Sequence, residues 1–368
     1  MECRDRHAAM IVGGGPAGLA TALGLIRAGC SVIVVERGRY DEVRIGEHLP
    51  PQGIRLLLDG GFSGLDEKAH LRSTGVNAWW GSTEASYMDY LFHPVGHGVN
   101  LSRPDFDSKL ADQCREAGVR LLTGARLISS TLKRTRWHIK VQWGDCVREY
   151  FPRVIVDATG RSAAFARAQG SSIEASESQV ALIACRASNP PLNDTNARVL
   201  IESAEHGWWY FAPLCGGRCV CMFMTDADLL QPGPRAALAT WEERLRRTDH
   251  VRWCKQAYPA MTRIVVRAAR SQRLDRIAGP GWIAVGDAAI AFDPLSSQGI
   301  AKGLAHGRQA AEAVLACFDG DEMALQRLGE QFGAEFADYE ETRRGYYAIE
   351  RRWPDALFWR RRQVPRCG

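Results

Sequence analysis

Apolar and polar positions follow two different rhythms along this chain. Ala8–Val12 and Ser31–Val35 are short continuous apolar runs, the pattern of strands buried on both faces. Between them lies a small, apolar helical stretch that ends at Ala28. Arg153–Val156 and Gly281–Val285 have the same strand character, and Phe106–Ala117 predicts a second helix. From Val180 to Arg267 the rhythm shifts to alternation. Val180–Arg186, Arg198–Ile201, Trp208–Pro213 and Cys219–Thr225 predict antiparallel strands, and Arg235–Arg247 predicts a helix. The expected class is mixed α/β (α+β): a Rossmann-like domain, an antiparallel-sheet domain and helices at the carboxyl end. There are no internal repeats and no low-complexity linkers.

Each continuous run ends in small residues. Ala8–Val12 leads into Gly13-Gly14-Gly15-Pro16-Ala17-Gly18, and Ser31–Val35 ends at Glu36-Arg37, about twenty residues after the glycines. Strand, glycine turn, helix, strand and acid together form the dinucleotide fingerprint. In it Gly13 makes the turn, Gly15 admits the pyrophosphate, and Gly18 lets the helix headed by Pro16 and Ala17 pack on the strand. Glu36 receives ribose hydroxyls. A second turn, Asp157-Ala158-Thr159-Gly160-Arg161, follows Arg153–Val156. The third, Gly286–Ile300, reads GDAAIAFDPLSSQGI. There Asp287 suits ribityl hydroxyls, and the free N–H groups at the Ser297–Ile300 helix start face negative charge. Three turns from three strands trace a ligand longer than one nucleotide, which favours FAD over NAD.

Composition narrows the picture. Of 368 residues, 46% are hydrophobic, ample for a core. No apolar run reaches the length of a membrane span, and the first residues lack a secretory signal, so a cytoplasmic protein with no membrane partner is expected. Eleven dispersed cysteines argue for free thiols in a reducing compartment. Cys215, Cys219 and Cys221 form the one cluster; it lacks a nearby fourth ligand, so no metal is expected. The net charge of +5 is concentrated at the end, where Arg343-Arg344, Arg351-Arg352, Arg360-Arg361-Arg362 and Arg366 interleave with Tyr346, Tyr347, Trp353, Phe358 and Trp359. A closing helix that packs its aromatics and leaves its arginines solvated is expected; a docking surface for an acidic partner is the alternative. No nucleic-acid motif accompanies the basic residues.

Gly13–Gly18, Asp157–Arg161 and Gly286-Asp287 through Pro294 resemble the three motifs of the flavin monooxygenase superfamily with the p-hydroxybenzoate hydroxylase fold. The resemblance implies a discontinuous FAD-binding domain over 1–75, 100–178 and 268–325. It also implies a substrate domain over 76–99 and 179–267, and a C-terminal segment over 326–368. It places Arg103 on the adenosine side of FAD, Arg44 near the pyrophosphate and the Leu127 backbone at the adenine. Pro294 and Ser296-Ser297 flank the isoalloxazine, while the amides of Gln298, Gly299 and Ile300 hold the negative charge of reduced flavin. With one fingerprint only, electrons come from transiently bound NAD(P)H or from a partner flavin reductase.

Three further segments narrow the resemblance. His206–Leu214, Gly46–Pro51 (GEHLPP) and the tail Glu350-Arg351-Arg352-Trp353 with Phe358-Trp359 are similar to halogenase-like flavoproteins that oxygenate a tryptophan in precursors of quinone-cofactor oxidases. The implied activity is hydroxylation of an electron-rich indole or phenol, free or on a peptide or protein precursor, by a flavin C4a-hydroperoxide. Related halogenases carry a lysine near the substrate. Leu71–Gly81 (LRSTGVNAWWG) has none, Lys68 sits in a polar run, and Lys302 is compatible with a solvent-facing position. Halogenation is therefore the runner-up, followed by a dehydrogenase or prenyl-chain reductase on the same fold and by a flavin-holding chaperone. His48, His93 and His97 are candidate proton handlers, with His48 best placed and Ser297 and Gln298 beside the reacting ring. Trp79, Trp80, Trp209 and Tyr210, with His93, are candidates to line the substrate pocket, although core packing accounts for the three tryptophans and Tyr210 equally well.

Overall fold

The computed structural model describes residues 8–42, 44–188 and 197–363. One half is built on a six-stranded sheet in which Ala9–Val12 lies between Val32–Glu36 and Val154–Asp157, all parallel and in register. Arg120–Thr123 extends one side and Trp282–Ala284 the other, again parallel. The runs AMIV, VIVVE and VIVD are buried along their whole length, as strands covered by helices on both faces must be. Because these strands run parallel, their carboxyl ends share one edge, and the three small-residue turns gather there. Pro16–Arg27 packs along Gly299–Phe318, so the helices that begin at the first and third turns are neighbours.

The second half is a seven-stranded sheet in the order Ala260–Ala268, Gln179–Ala187, Arg218–Asp226, Gly207–Leu214, Val199–Ala204, Gly75–Trp79, Ser86–Asp89. Every pairing is antiparallel except one. Val199–Ala204 lies parallel to Gly75–Trp79, because that strand arrives from a distant part of the chain as half of a hairpin with Ser86–Asp89.

Side-chain alternation on Gly207–Leu214 divides two cores. Trp208, Tyr210 and Ala212 join Ala181, Ile183, Val220 and Met222 on one face, onto which Ile45 and Leu295 pack. Trp209 and Phe211 point the other way, under the Pro234–Arg246 helix, with Trp241, Phe223 and Tyr258.

The expected closing helix is two helices, Ala324–Ile349 and Leu357–Gln363. Tyr347, Phe358 and Trp359 are buried and Trp353 half-buried, as anticipated for the aromatics, but Tyr346 is exposed. The expectation of solvated arginines fails at Arg362 and Arg343. Arg362 is buried, stacked over Phe358 at 3.6 Å and paired with Asp226 through both terminal nitrogens at 2.6 and 3.1 Å. Arg343 pairs with Glu177 and lies 3.2 Å from Asp293. Arg361 and Arg352 stay exposed as expected, Arg361 pairing with Asp226 and Asp228 and Arg352 with Glu350. Buried carboxylates on the two sheet domains require cations, and the tail supplies them. Arg344, Arg351 and Arg360 are exposed, and Arg366 lies outside the described residues.

Candidate functional site

At the first turn, Gly13 has φ +108°, and an added Cβ would sit 2.2 Å from the Ala158 carbonyl oxygen; at Gly18 it would sit 2.0 Å from the Gly13 oxygen. Those two glycines are required by the protein itself. Gly15 differs: a Cβ there would meet nothing within 4 Å. Its missing side chain leaves a bare backbone cradle at the amino end of the Pro16–Arg27 helix, which is what a pyrophosphate needs. Pro16 and Ala17 form the first turn of that helix.

Glu36 accepts hydrogen bonds from the Gly14 amide at 2.6 Å and the Gly38 amide at 2.7 Å, and pairs with Arg44 at 3.0 Å. Arg44 also reaches Asp107 at 3.2 Å, and Arg103 binds the same carboxylate at 3.1 and 3.2 Å. Arg103 further donates to the carbonyls of Ile45 (2.7 Å) and Gly46 (3.1 Å), tying the Gly46–Pro51 loop to the Arg103–Glu116 helix. Thus Glu36, Arg44 and Arg103 form one cluster, whereas Arg37 is exposed and apart from it. Leu127, half-buried, lies on the neighbouring Ala125–Lys133 strand.

The second turn is held from within. Asp157 accepts from the Thr159 amide and hydroxyl and from the Ala166 amide, and Gly160 adopts φ +65°. Arg161 crosses to the third turn, donating to the Arg270 and Phe292 carbonyls and lying 3.7 Å from Asp287.

The third turn contains the largest departure from expectation. Lys302 does not face solvent: its side chain is 2% exposed, and Nζ donates to Asp287 at 3.0 Å and to the Ile290 carbonyl. It lies one helical turn past Gly299 on the inner face of the Gly299–Phe318 helix, where burial requires an anion. Burial raises the Asp287 carboxyl, but Lys302 and Arg161 outweigh it and hold the group below the usual carboxylate range. With its side chain about one-third exposed, Asp287 remains open to a ligand. Behind it, His306 accepts from the Gly286 amide at 3.3 Å and meets Glu335 at 2.8 Å.

Asp293 braces the Pro294–Ser297 turn. Oδ1 accepts from the Leu295 amide, while Oδ2 accepts from Tyr347 at 2.8 Å, Gln179 at 3.2 Å and Arg343 at 3.2 Å. Ser297 follows with φ +50°, and Gln298 and Gly299 are exposed at the helix start. The first amides of the helix, including Gly299 and Ile300, have no acceptor of their own within it. They face outward with the positive end of the helix dipole.

His48, expected to handle protons, is buried with both ring nitrogens occupied. The Asn100 amide nitrogen donates to the Ala197 carbonyl, so its oxygen faces His48 Nδ1 at 2.9 Å. Nδ1 is therefore the donor, and Nε2 accepts from the Tyr90 hydroxyl at 2.9 Å. Burial lowers the pKa of His48, keeping the imidazole neutral.

Its neighbour Glu47, which sequence reasoning passed over, is 2% exposed, and neither carboxylate oxygen has a hydrogen-bond partner among the described residues. Burial pushes its pKa up to about 7 against the pull of Arg103 and nearby backbone amides. The only sequence signal was an acid beside the histidine of GEHLPP.

The aromatic candidates separate. Tyr210 is buried on the sheet face that Ile45 and Leu295 cover. Trp80 packs edge-on against Trp208, Tyr347 and Trp359 and donates to the Tyr346 carbonyl. Trp79 points oppositely and stacks on His250 at 4.0 Å. Trp209 packs on Trp241 and Phe223, so the sheet's own alternation keeps it from Tyr210's side. His93 sits in the turn after Tyr90, accepting from the Val95 amide, and His97 lines a cavity of about 90 Å³ with Asp66, His70 and Arg72. Cys221 lies 3.8 Å from Cys254, sulfur to sulfur, inside the core under the Pro234–Arg246 helix. Among the described residues no cluster of His, Cys, Asp or Glu has the makings of a metal site, and no helix is long and apolar enough to cross a membrane.

Residues 6–328 match a family model described as FAD binding domain. An FAD-dependent oxidoreductase, LodB, of Marinomonas mediterranea is 28% identical over 366 residues, covering 98% of each chain. A 1H-pyrrole-2-carbonyl-[peptidyl-carrier protein] brominase of Pseudoalteromonas luteoviolacea is 24% identical, covering 85% of this chain and 78% of that one. Among solved structures, the peptidyl tryptophan dihydroxylase QhpG, essential for tryptophylquinone cofactor biogenesis, superposes with TM-score 0.81 and 25% identity, covering 97% of this chain and 79% of that one. The flavin-dependent halogenase CmlS gives TM-score 0.82 at 21% identity, covering 99% and 68%.

Proposed function

The chain belongs to the FAD-binding-domain family and is a flavin-dependent oxidoreductase, and from that premise we propose that it hydroxylates an electron-rich aromatic ring, in first place the tryptophan indole of a peptide or protein precursor. Bound and reduced, FAD supplies the activation of dioxygen; the protein's task is to hold the cofactor, orient the ring and keep water out. Gly15, Glu36, Arg44 and Arg103 serve the nucleotide end, with Leu127 at the adenine. Asp287, fixed by Lys302 and Arg161, accepts the ribityl hydroxyls. Pro294, Ser297 and Gln298 lie against the ring, and the amides of Gly299 and Ile300 receive the negative charge of its reduced form. Tyr210, with Ala181, Ile183 and Met222, offers an apolar surface to an aromatic substrate.

The observation that carries hydroxylation over halogenation is the disposition of the lysines. Lys68, Lys133, Lys140 and Lys255 are exposed, Lys109 is half-buried on the Arg103–Glu116 helix, and Lys302, the one buried lysine, is spent on Asp287. None is left to meet a substrate on the Tyr210 face. QhpG, which acts on peptidyl tryptophan, supports the same reading.

The test is mass spectrometry of a tryptophan-bearing precursor peptide after reaction with reduced protein and labelled dioxygen. One or two labelled oxygens in the product are expected. A halogenated product in the presence of bromide or chloride, or a product differing only in hydrogen, would overturn the assignment. Mixing the oxidised protein with NADH or NADPH identifies the electron source: rapid loss of flavin colour means direct binding, and none means a partner reductase.

A further inference from the structure

We propose that Glu47 is the hydrogen-bond acceptor that selects the substrate, taking the single ring N–H of an indole, or the O–H of a phenol, as that ring lies on the Tyr210 face of the seven-stranded sheet. This rests on the oxygenase reading above and names the residue and substrate chemistry that reading leaves open.

Three observations converge. Glu47 is nine-tenths or more buried, yet both its oxygens lack partners among the described residues, a costly state for any carboxyl in a folded protein. Its position is fixed rather than incidental. The Glu47 carbonyl accepts from the Leu101 amide at 2.7 Å, and Arg103 grips the two preceding carbonyls. On the other side His48 is locked by Asn100 and Tyr90. A loop so tightly held around an unsatisfied acid keeps that acid available.

The third observation is what it faces. Ile45, two residues before Glu47 on the same loop, packs on the sheet face that holds Tyr210 and Cys185. Burial, and after it the Glu47 charge, raises the pKa of both groups. Around Tyr210 that sheet face is made of Ala181, Ile183, Ala212 and Met222, which offer contact surface and no side-chain N–H or O–H donor besides the tyrosine. An apolar wall with one waiting acceptor is complementary to a flat ring carrying one donor. A ligand lacking the donor would bury the acid unpaired, and such sites discriminate strongly.

The test uses the oxidised, FAD-loaded protein, so that no turnover is involved, and two probes, 3-methylindole and 1,3-dimethylindole, titrated by calorimetry. Wild type is expected to prefer the N–H probe by about tenfold or more. Glu47→Leu abolishes the preference, and Glu47→Gln, which keeps a carbonyl acceptor, retains part of it. An equal preference in wild type and Glu47→Leu, equal affinity of wild type for both probes, or no binding of either overturns the proposal. A Leu variant that loses FAD while the wild-type preference is absent shows that the acid serves the flavin or Arg103, and also overturns it. If Glu47→Leu fails to fold, the comparison of wild type with Glu47→Gln decides, and a preference in Gln equal to that of wild type overturns it as well. Failure of the oxygenase reading shows separately, as absence of labelled oxygen in the product.

Discussion

The Tyr347 hydroxyl donates to Asp293 Oδ2 at 2.8 Å, joining the last long helix to the residue that precedes Pro294 in the third turn. Arg343 meets the same carboxylate at 3.2 Å. The turn is therefore braced by side chains from a helix about fifty positions later in the chain. Tyr347→Phe is expected to cost about 1 kcal/mol in urea unfolding. Arg343→Met, which leaves Asp293 and Glu177 short of a buried cation, is expected to cost about 3 kcal/mol. Both are expected to weaken FAD binding, measured by recovery of flavin fluorescence on dilution.

Lys302 and Asp287 make a second prediction. Lys302→Met removes the cation that fixes Asp287, and FAD affinity is expected to fall by about tenfold or more. Asp287→Asn is expected to fall similarly. In the double variant the two losses are expected to be smaller than their sum, because one interaction is being removed twice. Fully additive losses would mean that the two residues serve the cofactor independently.

The glycine turn separates folding from binding. Gly15→Ala meets no neighbour and has an ordinary φ of −81°, so the apoprotein is expected to melt at the same temperature or slightly higher, while FAD binding is lost. Gly13→Ala and Gly18→Ala collide with backbone and are expected to destabilise the apoprotein itself. Thermal melts of the three proteins without and with FAD distinguish the cases.

Glu47 gives a pH dependence of defined sign. Its carboxyl titrates near 7 in the folded chain against 4.5 when free, so the folded state binds more protons between those values. Stability from this group is then greatest at low pH, declines as pH rises through that window and stays reduced above it. Glu47→Gln removes the penalty and is expected to be more stable than wild type at pH 8, by up to about 3 kcal/mol, with little difference at pH 4. Denaturant midpoints at the two pH values check it.

The three small-residue turns at the carboxyl edge of the parallel sheet were legible because strand, glycine and acid lie close together in sequence, and their spacing carries the geometry. The pairing of distant charges was not. Lys302 meets an acid 15 positions earlier and Arg362 one 136 positions earlier, and a lysine or arginine reads the same whether solvated or paired. Trp209 and Tyr210 were one motif in sequence, yet adjacent strand positions face opposite ways. Lining residues were therefore separable only once the sheet's two cores were known. His48 was found through its neighbours in GEHLPP, but whether its nitrogens were free depended on Tyr90 and Asn100, which come from another hairpin and strand.

The order of synthesis gives the Asp293 network a further meaning. Tyr347 leaves the ribosome 54 positions after Asp293, and the Arg362 clamp on Asp226 follows later still. The Pro294–Ser297 turn is thus made long before the side chains that set its shape. Its final geometry waits on the Ala324–Ile349 helix, and a chain truncated before that helix would leave Asp293 without the tyrosine and arginine that brace it.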